Sequence, residues 1–496
     1  MKKTLIIITT ILLFGCTKQL NKIPQGQLTE SNVFTQAGDF LLAIDAAYEP
    51  LTNRWRGSWD WDAGAAIPRD WVTGDVMSDD AVKGGGGLGD QEDMRRMQTF
   101  AIFPTNNNVL GIWRFNYKGI NAANTVLQQD GLKAPDLNDA TLKRIKGEAC
   151  FLRAFYYFRL VINFGAVPLL IPEKGLNDNT KRNSVDEVYA QIDEDLKTAA
   201  SVLPASYAVT DYQRATSGAA HALWAKTYLY RKLWQKCLDE ITLAENTGNY
   251  ALLPKYADNF NGSGEKGSEL IFASRHDAGK TPSQGSILNA VFAPRGIGWG
   301  FNLPTQDLVN EYEAGDPRIK ATLFKAGDTY FDGTAFDVSA SLTGYCVKKF
   351  LGNFNPLDDG GIDYVYIRYA DVLLWKSEAY LQLNDLNNAK AALEIVRARA
   401  RANAGGGVLP PVTTGNKNDL LTAIQHERRV ELAFEGHRYY DLVRWGLAAT
   451  VLAKSALANP LTGYKDYGEG WQPKNALLPI PQREADLLGL SQNSGY

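Results

Sequence analysis

Apolar residues recur every three or four positions along several long stretches of the chain, the spacing that lines one face of an α-helix. It predicts helices over 37–51 (Phe40, Leu41, Ile44, Ala47, Tyr48, Leu51), 113–127, 142–163 and 185–203. Two further stretches share one pattern. Residues 215–230, a break at Lys232-Leu233 and residues 234–245 make one helical hairpin, and residues 369–383, a break at Asn384-Asp385 and residues 387–401 make another. Each places small and aromatic residues where two antiparallel helices approach: Ala222, Ala225 and Tyr228 in the first, Ala370, Ala379 and Tyr380 in the second.

The periodicity fails in two places. Residues 54–89 carry Trp55, Trp59, Trp61 and Trp71, then Ser78-Asp79-Asp80 and four consecutive glycines from Gly84, which reads as one long loop. Loops of this length are usually functional or disordered, and four tryptophans argue against disorder. Residues 246–366 are rich in Gly, Asp, Asn, Pro and aromatics, with short apolar runs such as 270–273, and read as loops and short strands. Trp299 lies there between Gly298 and Gly300, where neighbours without side chains leave an indole accessible. The pattern divides the folded chain into a helical part (34–245), a loop-rich part (246–366) and a second helical part (367–496). The hairpins resemble tetratricopeptide units, although no strict 34-residue repeat runs through the chain.

At the N-terminus, Lys2 and Lys3 precede an apolar run from Leu5 to Phe14, and Gly15 precedes Cys16. This is the form of a lipoprotein export signal over 1–15, with Cys16 the lipidated residue and 16–33 a polar tether. The run is too short to span, since a bilayer needs about 20 apolar residues. Acyl chains on Cys16 would hold the domain at a membrane, each buried methylene contributing roughly 0.8 kcal/mol.

Composition changes the picture mainly by exclusion. Hydrophobic residues form 45% of the chain and aromatics 11%, ample for a large core. A formal net charge of -3 gives no general attraction to phosphates, so nucleic acid is disfavoured as a partner. Beyond Cys16 there remain Cys150, Cys237 and Cys346, without CxxC spacing, and the four histidines show no paired ligand spacing. No cofactor is indicated; Asp79-Asp80 and Asp358-Asp359 are weak candidates for calcium, lacking the Asp-x-Asp-x-Asp spacing.

The helix over 419–434 carries Glu427, Glu431 and Glu435 on one face, among Arg428, Arg429, Arg438 and Arg444. Paired carboxylates invite a glycosidase reading, because retaining enzymes hold two carboxyls about 5 to 5.5 Å apart. Those two must flank a sugar from opposite sides, whereas one helical face points its side chains one way. The arginines favour an ion-pair network that positions the last helices.

The series Glu427-Arg428, Glu431-Leu432, Glu435-Gly436-His437-Arg438, Asp441-Leu442 and Arg444-Trp445-Gly446 resembles the C-terminal signature of the SusD/RagB family of Bacteroidetes outer-membrane lipoproteins. Stretches 113–117, 120–124, 148–156 and 164–168, Asp316-Pro317-Arg318 and the ending 477–496 are similar to family landmarks. The resemblance implies a mostly α fold: a tetratricopeptide-like scaffold of helical hairpins with long irregular loops and a few short strands. It also implies a non-catalytic, cell-surface lipoprotein of the outer membrane that captures oligosaccharides for a SusC-like TonB-dependent transporter. The alternatives are a tetratricopeptide-type adaptor for peptide or protein, and a surface glycosidase. Sugar rings present apolar C–H faces edged by hydroxyls, so a binder needs exposed aromatic planes beside polar side chains. Trp59, Trp61, Trp71 and Trp299, with Asp79, Asp80 and Asn302, are therefore the candidate ligand contacts.

Overall fold

The computed structural model describes residues 33–54, 67–87, 89–171, 181–248, 250–352, 354, 356–455 and 470–496. Its first half is helical: α1 (Ala37–Tyr48), α2 (Glu92–Gln98), α3 (Asn107–Leu127), α4 (Asp139–Phe164), α5 (Val185–Val202), α6 (Ser217–Tyr230) and α7 (Trp234–Glu245). A middle part follows with the short helices α8 (Leu288–Phe292), α9 (Gln306–Glu311) and α10 (Ile319–Thr322). The last part holds α11 (Tyr369–Gln382), α12 (Leu386–Ala402), α13 (Lys417–Leu432), α14 (Arg438–Trp445), α15 (Ala448–Ser455) and α16 (Gln482–Leu488). The mostly α scaffold read from the sequence is the fold observed. No helix among the described residues is long and apolar enough to cross a membrane.

Side chains that satisfy orphan amides set the helix starts. Asn106 and Asn138 cap α3 and α4, Ser184 and Glu187 form a capping box at α5, and Asn416 caps α13. The two hairpins close in the same way. Leu233 N donates to Tyr228 O at 2.9 Å around a left-handed Lys232, and Asp385 N donates to Tyr380 O at 2.9 Å around a left-handed Asn384. The alanines picked out from the sequence, Ala222, Ala225, Ala370 and Ala379, are fully buried between the helices. Helices α3 to α7 pack in sequence order, and α11 continues the array against α7, α12 and α13.

Three antiparallel strand pairs join distant parts of the chain. β1 (Ala81–Gly84) pairs with β3 (Phe301–Pro304), β2 (Leu270–Ser274) with β6 (Tyr364–Arg368), and β4 (Leu323–Phe324) with β5 (Cys346–Val347). The β1–β3 pair corrects the sequence reading of 54–89 as one loop. Residues 72–76 form a buried π-helical turn and β1 is buried along its whole length, so neither shows the alternation that marks a surface element. The core is one large cluster with two satellites: one between α11, α12 and α13, the other formed by Val82, Leu303, Phe324, Tyr330, Phe336 and Cys346.

Candidate functional site

The three carboxylates are saturated, although they do not share one helical face as expected: α13 ends at Leu432 and the left-handed Phe434 places Glu435 on the turn beyond it. Glu431, 0% exposed, accepts from Arg318 at 3.0 Å, from Arg368 at 2.6 Å and from Arg399. Glu435 accepts from Lys349 and from Arg368 Nε, each at 2.7 Å, while Glu427 pairs with Arg318 and Arg397. Burial alone would raise the Glu431 carboxyl, yet Arg399, Arg368 and Arg318 outweigh it and hold the group far below the ordinary carboxylate range. A buried carboxylate answered by three guanidinium groups is placed neither to protonate a sugar nor to attack one. The expected ion-pair network is present, with different partners: Arg428 binds Asp371 and Asp441, Arg429 binds Asp80, Asp307 and Glu311, and Arg444 binds Glu378. Partners four residues apart along one helix were legible, but those brought in by β6, α12 and the loop before α10 were not.

Four candidate contacts lie inside the protein and are corrected accordingly. Trp71 is 2% exposed, edge-on to Phe292 with ring centroids 5.4 Å apart. Asp79 is bound by Arg438 Nε at 2.7 Å and by Arg429 at 2.9 Å, and Asp80 by Arg429 Nε at 2.8 Å. Asn302 is fully buried and donates to Asp75 Oδ2 at 3.2 Å. The physical reason is shared: the β1–β3 pairing and the arginines of α13 and α14 draw residues 71–84 inward. Asp359 accepts from Gly279 N at 2.7 Å and Gly285 N at 2.9 Å, and so ties two turns together. Among the described residues no group of three or more His, Cys, Asp or Glu is arranged to hold a metal ion. Cys16, Trp59 and Trp61 lie outside the described residues.

Trp299 sits on a different kind of element. It is half-buried, its flank packed on the core, on a turn that runs from Arg295 to Gly300 over α8. Trp299 N donates to Ala290 O at 2.7 Å, Gly300 N to Ala293 O at 2.9 Å, and Gly298 N to Pro294 O at 2.8 Å. A Cβ on Gly298 would lie 2.6 Å from Ala290 O, and Gly300 has φ +68, so glycine on both sides is what lets the turn close and lift the indole. Exposed Arg295 lies beside it.

A cleft of about 310 Å³ opens between α1, the turn 210–214 and the end of β2, lined by Asp45, Tyr48, Leu51, Gln213, Arg275 and Gln284 among others. Arg214 fixes its wall, donating to Asp45 at 2.8 Å, Glu148 at 3.0 Å and Asp211 at 3.0 Å. Tyr212 and Gln213 both donate to Asp363, which also accepts from His276 N at 2.8 Å. Burial and the nearby Glu265 push the Asp363 carboxyl up to about 7. Gln213 Oε1 is buried without a hydrogen-bond partner among the described residues, while Arg275 and Gln284 are exposed at the rim. Fixed walls with amide, hydroxyl and guanidinium groups at the opening suit a ligand rich in hydroxyls. Sequence reasoning missed the cleft because its residues come from four separate segments and no local pattern joins them.

Residues 268–496 match the family described as SusD family, and residues 89–229 match one described as starch-binding associating with outer membrane; together they span most of the chain. A SusD-like protein of Formosa agariphila is 26% identical over an alignment of 540 positions covering 100% of this chain and 99% of the relative. A solved laminarin-binding SusD-like protein superposes with a TM-score of 0.76 at 29% identity, covering 93% of this chain and 100% of that one. Surface glycan-binding protein A from Bacteroides thetaiotaomicron, solved in complex with laminarihexaose, gives 0.74 at 25% identity over 92% of this chain and 100% of that one.

Proposed function

This chain belongs to the SusD/RagB family, and we propose that it is a non-catalytic, glycan-binding lipoprotein of the cell surface that captures oligosaccharides and hands them to a SusC-like TonB-dependent transporter. The observation that carries this reading is Trp299, half-buried on a glycine-built turn in the loop-rich part of the chain. A fixed indole offers an apolar plane to a sugar ring at little entropic cost, and the exposed Gln284 amide at the cleft rim offers a donor and an acceptor to hydroxyls. Two structural relatives named for laminarin and laminarihexaose binding support the ligand class. The saturated α13 carboxylates supply no acid–nucleophile pair, in keeping with capture and release rather than hydrolysis.

Titration calorimetry of the purified protein against laminarihexaose and a panel of other neutral hexasaccharides tests the reading. Saturable binding without product formation is the expected outcome; release of shorter sugars would restore the glycosidase reading, and silence across the panel would remove glycan capture. Anchoring is tested separately. Cys16→Ala removes the thiol that acylation requires and should move the protein out of the membrane fraction; retention in washed outer membranes would show that another contact holds it.

A further inference from the structure

Lys83 lies on β1 between Val82 and Gly84, and although it carries a charge it is only 1% exposed. Its ammonium is met by backbone. Nζ donates to Gly84 O at 2.8 Å, to Gly87 O at 3.0 Å and to Asp90 O, so its three N–H donors are matched by three carbonyls. A ring of backbone oxygens of this kind is also what receives a hard metal cation. The chain that supplies them needs the support, because Gly84 to Gly87 have no side chains and glycine loses more conformational freedom on ordering than any other residue. Asp90 adds one tie from the half-buried end of the loop, its Oδ2 accepting from Gly86 N at 2.7 Å.

The glycine loop is one of two supports of the Trp299 turn. The first is α8, through the bonds from Trp299 N and Gly300 N already described. On the other side Gly85 N donates to Gly300 O at 2.7 Å, and Arg295 lies between loop and turn. Its Nη1 donates to Trp299 O at 3.4 Å, and a Cβ on Gly86 would stand 3.7 Å from its Nη2. We propose that Lys83 is a positioning residue for the ligand surface, an internal cation that holds the glycine loop against Arg295 and the Trp299 turn. This extension rests on the glycan-capture reading. Lys83 is buried and acts only through the backbone it gathers. A surface ordered in advance spares the ligand the entropy of ordering it, so the effect belongs to affinity as well as to stability.

Lys83→Ala removes the fragment that propylammonium reproduces, which makes the role testable by adding the amine back. The purified full-length variant in detergent is titrated with laminarihexaose alone, with propylammonium, and with tetramethylammonium at equal ionic strength as a cation without N–H donors. The variant should bind about three- to tenfold more weakly than the parent, propylammonium should restore affinity and melting temperature saturably, and tetramethylammonium should restore neither. Parental affinity in a variant that melts lower overturns the proposal and leaves glycan capture standing. Melting restored by the amine without affinity overturns it too, as does a loss of affinity that the amine leaves uncorrected. Equal rescue by both cations overturns the caged ammonium, since ionic strength alone would then suffice. If Lys83→Ala folds under none of these conditions, Asp90→Ala decides, because it releases Gly86 at a half-buried position. A loss of about two- to threefold at parental melting supports the proposal, and parental affinity overturns it. A parent that binds none of the laminari-, malto- or cello-hexaoses overturns capture, and this extension with it.

Discussion

Two regions of this molecule drew notice for charged or aromatic residues, and they do opposite things. Around α13 every charge is answered: Arg368 alone directs its nitrogens at Glu269, Glu431 and Glu435, and none of these side chains meets solvent. Around Trp299 and the cleft the groups are held from behind by backbone hydrogen bonds and ion pairs and are only partly buried. Arg214 is spent on three carboxylates to fix a wall, while Arg275 and Gln284 remain exposed at the rim. Chemistry-bearing residues do not mark a site by their presence; what marks it is a group held from behind that still reaches solvent.

The comparison breaks most sharply at Glu431. Its replacement by alanine leaves Arg318, Arg368 and Arg399 facing one another in a buried space. Removing one partner of a buried ion pair typically costs about 3 to 5 kcal/mol, and this carboxylate answers three cations, so the melting temperature should fall steeply or the variant should not fold. Near-parental melting with altered ligand affinity would place α13 in the binding machinery. Trp71→Ala should cost about 3 kcal/mol or more through loss of a fully packed indole, with unchanged affinity in the folded fraction.

The two regions should also respond to pH with opposite signs. Glu431, Glu435 and Asp441 have carboxyls held below their ordinary range by buried arginine and lysine partners, so their contribution is present above the unfolded carboxylate range and is lost as pH falls through the folded values. Asp363 is raised to about 7, so its contribution is complete below the unfolded value and is lost as pH rises from about 4 through 7. Asp363→Asn should therefore gain stability relative to the parent over that window, by about 2 kcal/mol at most once solvent screening is allowed for. Melting curves at intervals from pH 4 to 8 read the difference; a gap between variant and parent that stays constant across the window would show that Asp363 does not titrate there.

At Trp299 the effect moves from stability to affinity. Stacking on a sugar face is worth about 1 to 1.5 kcal/mol by analogy with aromatic pairs, so Trp299→Ala should weaken hexasaccharide binding about tenfold with little change in melting. A melting loss as large as that of Trp71→Ala, without loss of affinity, would move Trp299 to the interior side of the comparison.

How much of this was legible in the sequence follows from the range of each determinant. The long helices and both hairpin breaks were readable because helical periodicity and left-handed turn residues such as Asn384 are local signals. Trp299 was singled out for its flanking glycines, and those glycines do close its turn. Trp71, Asp79, Asp80 and Asn302 were misjudged because their burial comes from β1–β3 pairing and from Arg429 and Arg438, more than 200 residues away in the chain and without trace in local pattern. The cleft was missed for the same reason, since α1, residues 210–214 and the end of β2 meet only after folding.

The smallest effect is expected at the rim of that cleft. Gln284 is exposed and lines the opening, so a sugar hydroxyl that reaches it exchanges a hydrogen bond to water for one to the amide. The net worth of such an exchange is about 0.5 to 1.5 kcal/mol, and an exposed rim takes the lower end, so Gln284→Ala should weaken binding about threefold without shifting the melting curve. Arg214→Ala is the matched control. It removes no rim group, but it releases Asp45, Glu148 and Asp211 together and should lower both stability and affinity by loosening the wall. If Gln284→Ala binds every tested sugar as tightly as the parent while Arg214→Ala melts lower with affinity intact, the cleft is a structural seam. The ligand surface would then be confined to the Trp299 turn.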